Sequence, residues 1–338
     1  MIRILCTGDS HTWGQGVAGL EKEVDPPWVG GELRLTSFRS DHYVNLLRKK
    51  INEATGSYAW EWTAQELAEI ESVEFEVPCA VIGPEGMEIF IVGAMIRMEF
   101  AMSQEMSEAE IRVDGESMGV WNLQTDKKVN AWKLITLHLA EGRHALSIRA
   151  ATGRVGVYRI ETYAGACAVI NSGIGSCPVG RMRTDFVKDY VEAVRPDVVL
   201  MEAHTINDWL TGETPEEYCN HLIEFIEDIR RIGAEPVLMT VAPIGGEQIR
   251  PGLAAVYDEF VEASRRAAYL SGIRLCDANA MMKILAEGLT ETEMSRYLLS
   301  DNWHPNNRGH AIYAQMLYEA ISSEKWIREM GENRDENR

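Results

Sequence analysis

IRILCTGDSHTWGQG, residues 2–16, decides how the rest of the chain is read. A short apolar run gives way at once to Gly8-Asp9-Ser10, and glycines follow at 14, 16 and, just beyond, 19. Two chemistries compete for this turn. A GxGxxG built from Gly14, Gly16 and Gly19 would cradle a pyrophosphate at the N-terminus of the helix that follows. Residues 20–34, LEKEVDPPWVGGELR, hold two consecutive prolines and no apolar stripe, so no helix is expected there and dinucleotide binding is set aside. In an open parallel sheet, functional groups collect beyond the carboxyl ends of the strands, where Ser10 falls. A lone serine serves as readily as a cap or turn residue, so the reading stands only if the chain also supplies a base.

Composition narrows the partners. The chain has 338 residues, 46% of them hydrophobic, with a net charge of -19. This is enough for one large domain or two ordinary ones, and an acidic surface repels both nucleic-acid phosphates and anionic membranes. MIRILC leads straight into a strand without the apolar core and cleavage site of a signal peptide, so a cytoplasmic location is expected. No apolar stretch approaches the ~20 residues that cross a bilayer. Cys6, Cys79, Cys167, Cys177, Cys219 and Cys276 show no CxxC spacing and read as buried thiols, with neither disulfides nor structural zinc.

The periodicity changes twice along the chain. After the first strand, Tyr43, Leu46, Leu47 and Ile51 recur at helical spacing up to Gly56. From about 58 to 165, segments such as VEFEV, EIFIVG, IRMEFAM and HALSIRA alternate in steps of two, with turns such as Asp114-Gly115 between them. This is the texture of an antiparallel sandwich or jelly roll. Strands and helices then alternate again: CAVINSG at 167–173, a helix near 181–194, a strand at 197–203, a helix from Pro215 to about Ile232, the strand PVLMTVA, a helix around 253–271, the strand IRLCDA and a last helix from about Asn307 to Ser322. Thr214-Pro215-Glu216-Glu217 supplies an N-cap, a proline at the first helical position and a capping-box glutamate. The organisation expected is an α/β domain of residues 1–57 and 166–330 with a parallel sheet, interrupted by an all-β domain at 58–165 and followed by a solvated tail at 331–338. Without the insert about 230 residues remain, an ordinary size for one domain.

Among eight histidines, His304 has the context of a base. In SDNWHPNNRGHAIYAQML, Asp301 precedes it by three residues and Pro305 ends the loop before a helix. That spacing lets one turn hold a carboxylate against one ring nitrogen while the other nitrogen faces a serine. By itself the same motif is a surface loop with a capping asparagine. His11 and His204 flank the other blocks, but without a close paired ligand they read as supporting residues, and no metal is expected.

These blocks together resemble the SGNH hydrolases, the GDSL esterases. Gly8-Asp9-Ser10 matches their first block and Asp301 to Pro305 their last. Thr205-Ile206-Asn207-Asp208 keeps the asparagine of the third block while replacing its glycine, and Asn171 to Ser176 stands for the second, with the oxyanion glycine falling on Ser176 and Gly175 just before it. The resemblance implies a flavodoxin-like three-layer fold and an acyl-enzyme route without cofactor. Ser10 would be nucleophile, His304 base and Asp301 its orienting carboxylate, with oxyanion donors from the N–H of Ser10, the N–H of Gly175 or Ser176, and the Asn207 amide.

Trp13, Trp209 and Trp303 flank the blocks and offer flat faces for the apolar side of a sugar. The expected substrate is a small acyl ester, acetyl first, on a carbohydrate. The insert's Trp121 and Trp132 would line a glycan surface or fill its core, and the insert itself offers a surface for self-association. The alternatives are a lipolytic or thioester hydrolase of the same superfamily, and a glycan-binding protein whose hydrolase domain is silent.

Overall fold

The computed structural model describes residues 1–17, 38–68, 70–72, 78–126, 132–245 and 252–322. The segment 20–34, where no phosphate-binding helix is expected, Gly19 and the tail 331–338 lie outside the described residues. Within those limits the chain forms two compact units, one built on Ser57–Ala168 and the other on residues 2–17, 39–56 and 169–322.

The second unit carries a five-stranded sheet in the order Cys167–Gly173, Ile2–Gly8, Val198–Glu202, Glu235–Met239, Arg274–Cys276. Numbered along the chain within this sheet, the order is 2-1-3-4-5, the flavodoxin-like arrangement. Ile2–Gly8 pairs in parallel with Val198–Glu202, in the register Ile4↔Val198 to Thr7↔Met201, and the next two pairs are parallel as well. Every residue of Cys167–Gly173 and Val198–Glu202 is buried. Such strands read as continuous apolar runs because helices cover both of their faces.

The helices follow their periodicity. Tyr43–Thr55 buries Tyr43, Val44, Leu47 and Ile51 and stops where Gly56 turns left-handed at φ 67°. Pro215–Arg231 buries Tyr218, Leu222, Phe225 and Ile229, and its capping box is formed. The region near 181–194 is helical but irregular: Val179–Arg181 leads into a π turn at Met182–Phe186, a turn at Val187–Tyr190 and a 3-10 turn at Glu192–Val194. Where the turn at Val187–Tyr190 ends, the Ser172 hydroxyl donates to the Tyr190 carbonyl at 2.9 Å. All six cysteines are buried, and none is in a disulfide. Among the described residues no helix is long and apolar enough to cross a membrane.

The first unit is one eight-stranded sheet, hydrogen-bonded throughout. Two strands, Met87–Ala101 and Trp132–Ala150, run its full length, and their mutual register breaks between Gly93 and Met95. Beyond the break, Met95–Ala101 pairs also with Val155–Ala164, whereas at the other end Leu146–Ala150 pairs with Glu108–Val113. The two long strands therefore pass from one half of the sheet to the other, as bent strands do at the corner of a sandwich. The hinge requires glycine, because a Cβ on Gly93 would lie 2.5 Å from the Tyr163 carbonyl oxygen. Met98, Phe100, Ile111, Ile148, Val157 and Ile160 belong to its common core, and Trp121 and Trp132 pack against that core.

The Thr214 cap offers a test of this local reading. Replacing Thr214 with Ala is expected to lower unfolding stability by about 1 kcal/mol. In urea denaturation the midpoint should fall while the slope stays unchanged, and an unaltered midpoint would show that packing alone holds this helix.

Candidate active site

Ser10 opens a four-residue helix, Ser10–Trp13, directly after the first strand. Asp9 caps it, its Oδ1 accepting the His11 N–H at 2.9 Å. The chain must pack closely here. A Cβ on Gly173, at the end of the neighbouring strand, would lie 2.3 Å from the Trp13 nitrogen, and Asn171 donates to the Thr12 carbonyl at 3.1 Å. Gly14 closes the helix in the left-handed region at φ 113°. Gly16, at φ 96°, leaves room for the loop that carries His304: a Cβ there would meet the Pro305 carbonyl oxygen at 2.4 Å and the His304 Cβ at 3.1 Å. Gly16, one of the glycines that imitate a dinucleotide fingerprint, thus lets two distant loops touch.

That loop is organised by its own acid and amide. Asp301 Oδ1 accepts the backbone N–H groups of Trp303 and His304, each at 2.8 Å, while Oδ2 lies 2.7 Å from His304 Nδ1. Asn306 Oδ1 accepts the N–H groups of Arg308 and Gly309, starting the helix Asn307–Ser322. The capping asparagine and the acid-histidine pair therefore coexist in one loop. Partial burial opposes ionisation of Asp301, but the bonds from the His304 ring and the two N–H groups outweigh it and hold Asp301 down to about 2. An ionised carboxylate only accepts, so His304 Nδ1 carries the proton and Nε2 presents a lone pair. Ser10 Oγ lies 3.0 Å from that Nε2 and is the donor. Ser10 is 5% and His304 7% exposed, which keeps this chain of bonds largely out of water.

Asn207 starts the short helix Ile206–Leu210 after the third strand of the sheet. Its amide donates to Asp9 Oδ2 at 2.5 Å, which leaves one amide N–H uncommitted to that bond. Ser176, where the family resemblance places glycine, is a non-glycine residue in the left-handed region at φ 54° and is exposed. Gly175 is partly buried. Ser176 thus holds a left-handed backbone that glycine adopts more easily.

The tryptophans separate. Trp209 and Trp303 are partly exposed, but Trp13 is 1% exposed and belongs to the core, so it is corrected from a sugar-facing residue to a packing one. Its helix is pressed against Gly173, which leaves no open side. His204 is buried, with Nδ1 2.5 Å from the Cys177 carbonyl oxygen.

Sequence reading missed Glu202. It ends the strand Val198–Glu202, and its Oε2 accepts the Asp9 N–H at 2.9 Å. The signal was an acid closing the apolar run DVVLMEA. Ligand atoms of Asp9, His11 and Glu202 lie within 4.8 Å of one another. Each Asp9 oxygen and one Glu202 oxygen accept an N–H, so these residues share a hydrogen-bonded frame.

A parallel sheet of this order, with a serine beyond its first strand and a histidine before its last helix, is the layout that the resemblance to the SGNH hydrolases implies. Residues 149–312 match the model of the GDSL-like lipase/acylhydrolase family, so this part of the chain carries a domain of that type. No curated protein matches the sequence. Among solved structures, a peptidoglycan O-acetylesterase shares the fold over 97% of this chain and 92% of its own, at 16% identity and a TM-score of 0.56. An acetylxylan esterase from Geobacillus stearothermophilus aligns with 48% of this chain and 74% of its own, at 23% identity and a TM-score of 0.40. A protein from Bacillus subtilis aligns with 79% and 89%, at 11% identity and a TM-score of 0.44.

The Asp301 geometry carries a pH signature. A carboxyl depressed to about 2 when folded contributes stability that is complete above its unfolded value, near 4, and is lost as pH falls through about 2. Asp301→Asn is therefore expected to destabilise at pH 7 by an amount that shrinks as pH is lowered through this window. Urea titrations of both proteins between pH 7 and pH 2 read the difference, and a gap that stays constant throughout would show that the pair contributes nothing through charge.

Proposed function

We propose that Ser10 is the nucleophile of an acyl-enzyme reaction that removes small acyl groups, acetyl first, from a carbohydrate ester. The observation that carries the proposal is the unbroken chain of bonds from Ser10 Oγ to His304 Nε2 and from His304 Nδ1 to Asp301 Oδ2, at 3.0 and 2.7 Å. His304 takes the serine proton as Oγ attacks the ester carbonyl, then returns it to the leaving alcohol. Water repeats the cycle on the acyl-serine and releases the acid. Asp301 holds the imidazole in the tautomer that keeps Nε2 free, and it stabilises the imidazolium that forms. The tetrahedral oxyanion is met by the Ser10 N–H, the N–H of Gly175 or Ser176 and the Asn207 amide.

The carbohydrate part of the reading is supported by Trp209 and Trp303. Trp209 stands two residues after Asn207 and Trp303 immediately before His304, both with part of the indole exposed. Aromatic faces of this kind suit the C–H side of a sugar ring, with the indole N–H left for a hydroxyl. The neighbour that aligns with nearly the whole chain is described as a peptidoglycan O-acetylesterase, an enzyme for an O-acetylated glycan.

Acetate release from acetylated sugars and cleavage of p-nitrophenyl esters of increasing chain length test both halves. Wild type is expected to favour acetyl over longer chains, and Ser10→Ala to lower kcat by at least about 10⁴ while leaving the melting temperature unchanged. Retained turnover in Ser10→Ala would sink the nucleophile assignment. Serine-dependent activity confined to long acyl chains or thioesters would replace the sugar-ester reading with a lipolytic or thioesterase one.

A further inference from the structure

We propose that Glu202 is a positioning residue of this hydrolase: lodged beneath the Gly8-Asp9-Ser10 turn, its carboxyl holds the Asp9 N–H and the Thr12 hydroxyl, so that Asp9 in turn fixes the Asn207 amide for the oxyanion. The inference rests on the reading of Ser10 as nucleophile and Asn207 as oxyanion donor. Glu202 is 1% exposed and Asp9 wholly buried. Glu202 Oε2 accepts from the Asp9 backbone at 2.9 Å and from Thr12 Oγ at 3.2 Å. The Thr12 oxygen lies 2.8 Å from the Tyr43 hydroxyl, so Tyr43 donates to Thr12 and Thr12 to Glu202. Asp9 then spends one side-chain oxygen on the His11 N–H and the other on the Asn207 amide. One continuous series of bonds runs from Glu202 through Asp9 to Asn207.

Gly8 records the same contact. A Cβ there would stand 2.2 Å from Thr12 Oγ, 2.3 Å from Glu202 Oε2 and 2.8 Å from Glu202 Cβ. The glycine of Gly-Asp-Ser is thus the space into which Glu202 presses, and the carboxyl lies flat against the backbone that presents the serine.

The chemistry favours a neutral acid at 202. Asp9 and Glu202 have ligand atoms within 4.8 Å of each other in a dry setting, and two carboxylates so placed do not both ionise. Asp9 Oδ1 and Oδ2 each accept an N–H. Glu202 Oε1 has no hydrogen-bond partner, and burial together with the Asp9 charge pushes the Glu202 carboxyl well above the usual range. A protonated Glu202 offers Asp9 and Thr12 an acceptor without setting a second negative charge beside a developing oxyanion.

Hydrolysis of p-nitrophenyl acetate by wild type, Glu202→Gln, Glu202→Met, Asn207→Ala and the Glu202→Met/Asn207→Ala double variant tests this, with Ser10→Ala as control and circular dichroism to follow folding. Glu202→Met keeps the volume and removes the acceptor. It is expected to lower kcat by about 10- to 100-fold with KM within about twofold, the pattern of a misplaced transition-state donor. Glu202→Gln, an isostere of the neutral acid, should rescue kcat to within about threefold of wild type, and on the Asn207→Ala background Glu202→Met should cost less than about threefold more. Full activity in Glu202→Met, a glutamine variant lacking this rescue, or an equal loss with and without Asn207 would overturn the proposal. If the methionine variant fails to fold, the glutamine variant alone decides between rescue and loss. Undiminished turnover in Ser10→Ala would instead overturn the underlying reading, whatever Glu202 does.

Discussion

The contact on which the site depends is the approach of the Pro305 carbonyl to the α-carbon of Gly16. Ser10 and His304 are 294 residues apart in sequence, and their bond forms only because the loop 300–305 settles against the turn that follows Ser10. Further bonds tie the same pieces together. The Gly14 and Gln15 N–H groups fold back onto the Ser10 carbonyl at 2.9 Å, and His310 accepts from the Tyr43 N–H while donating to the Gln15 carbonyl. Burial pushes His310 down to about 3, so its ring stays neutral and able to do both. The last helix, the helix at 43–55 and the turn that follows Ser10 are fixed to one another through a single imidazole.

Around this contact the unit tolerates a concentration of buried polarity that a purely structural core would avoid. Asp9, His11, Glu202, His204 and Asp208 are all at most 1% exposed. Desolvation shifts four of these groups toward neutrality: Glu202 and Asp208 are pushed up, Asp208 to about 8, and His204 and His11 are pushed down, His11 to about 4. Asp301 is the counter-example. It lies nearer solvent and is held by three donors, and it stays charged. The arrangement places a lasting carboxylate behind the imidazole and keeps Glu202, Asp208, His11 and His204 neutral nearby, so the charge developing in a reaction meets mainly fixed dipoles.

Much of this was legible because the parts that meet in space each carry a local mark. Asp301 and His304 sit three residues apart on one turn, and Gly-Asp-Ser ends a short apolar strand. The returning alternation of apolar runs and amphipathic helices specified the parallel sheet. Glu202 was not legible, since its partner is a backbone N–H 193 residues away and no spacing rule spans that distance. Trp13 misled for a related reason: nearness to Ser10 in sequence says nothing about which side of a four-residue helix faces solvent. In the β unit the two-residue alternation was plain, but the passage of two long strands from one half of the sheet to the other depends on Gly93 alone, a glycine that looks like any turn residue.

The central claim is that Ser10, activated by His304, forms a covalent acyl intermediate. The most direct measurement is mass-spectrometric mapping of the site labelled by a fluorophosphonate, which traps activated serines. The account predicts one label per chain on the peptide containing Ser10, and none in His304→Ala. A label elsewhere, or undiminished labelling of Ser10 without His304, would contradict it.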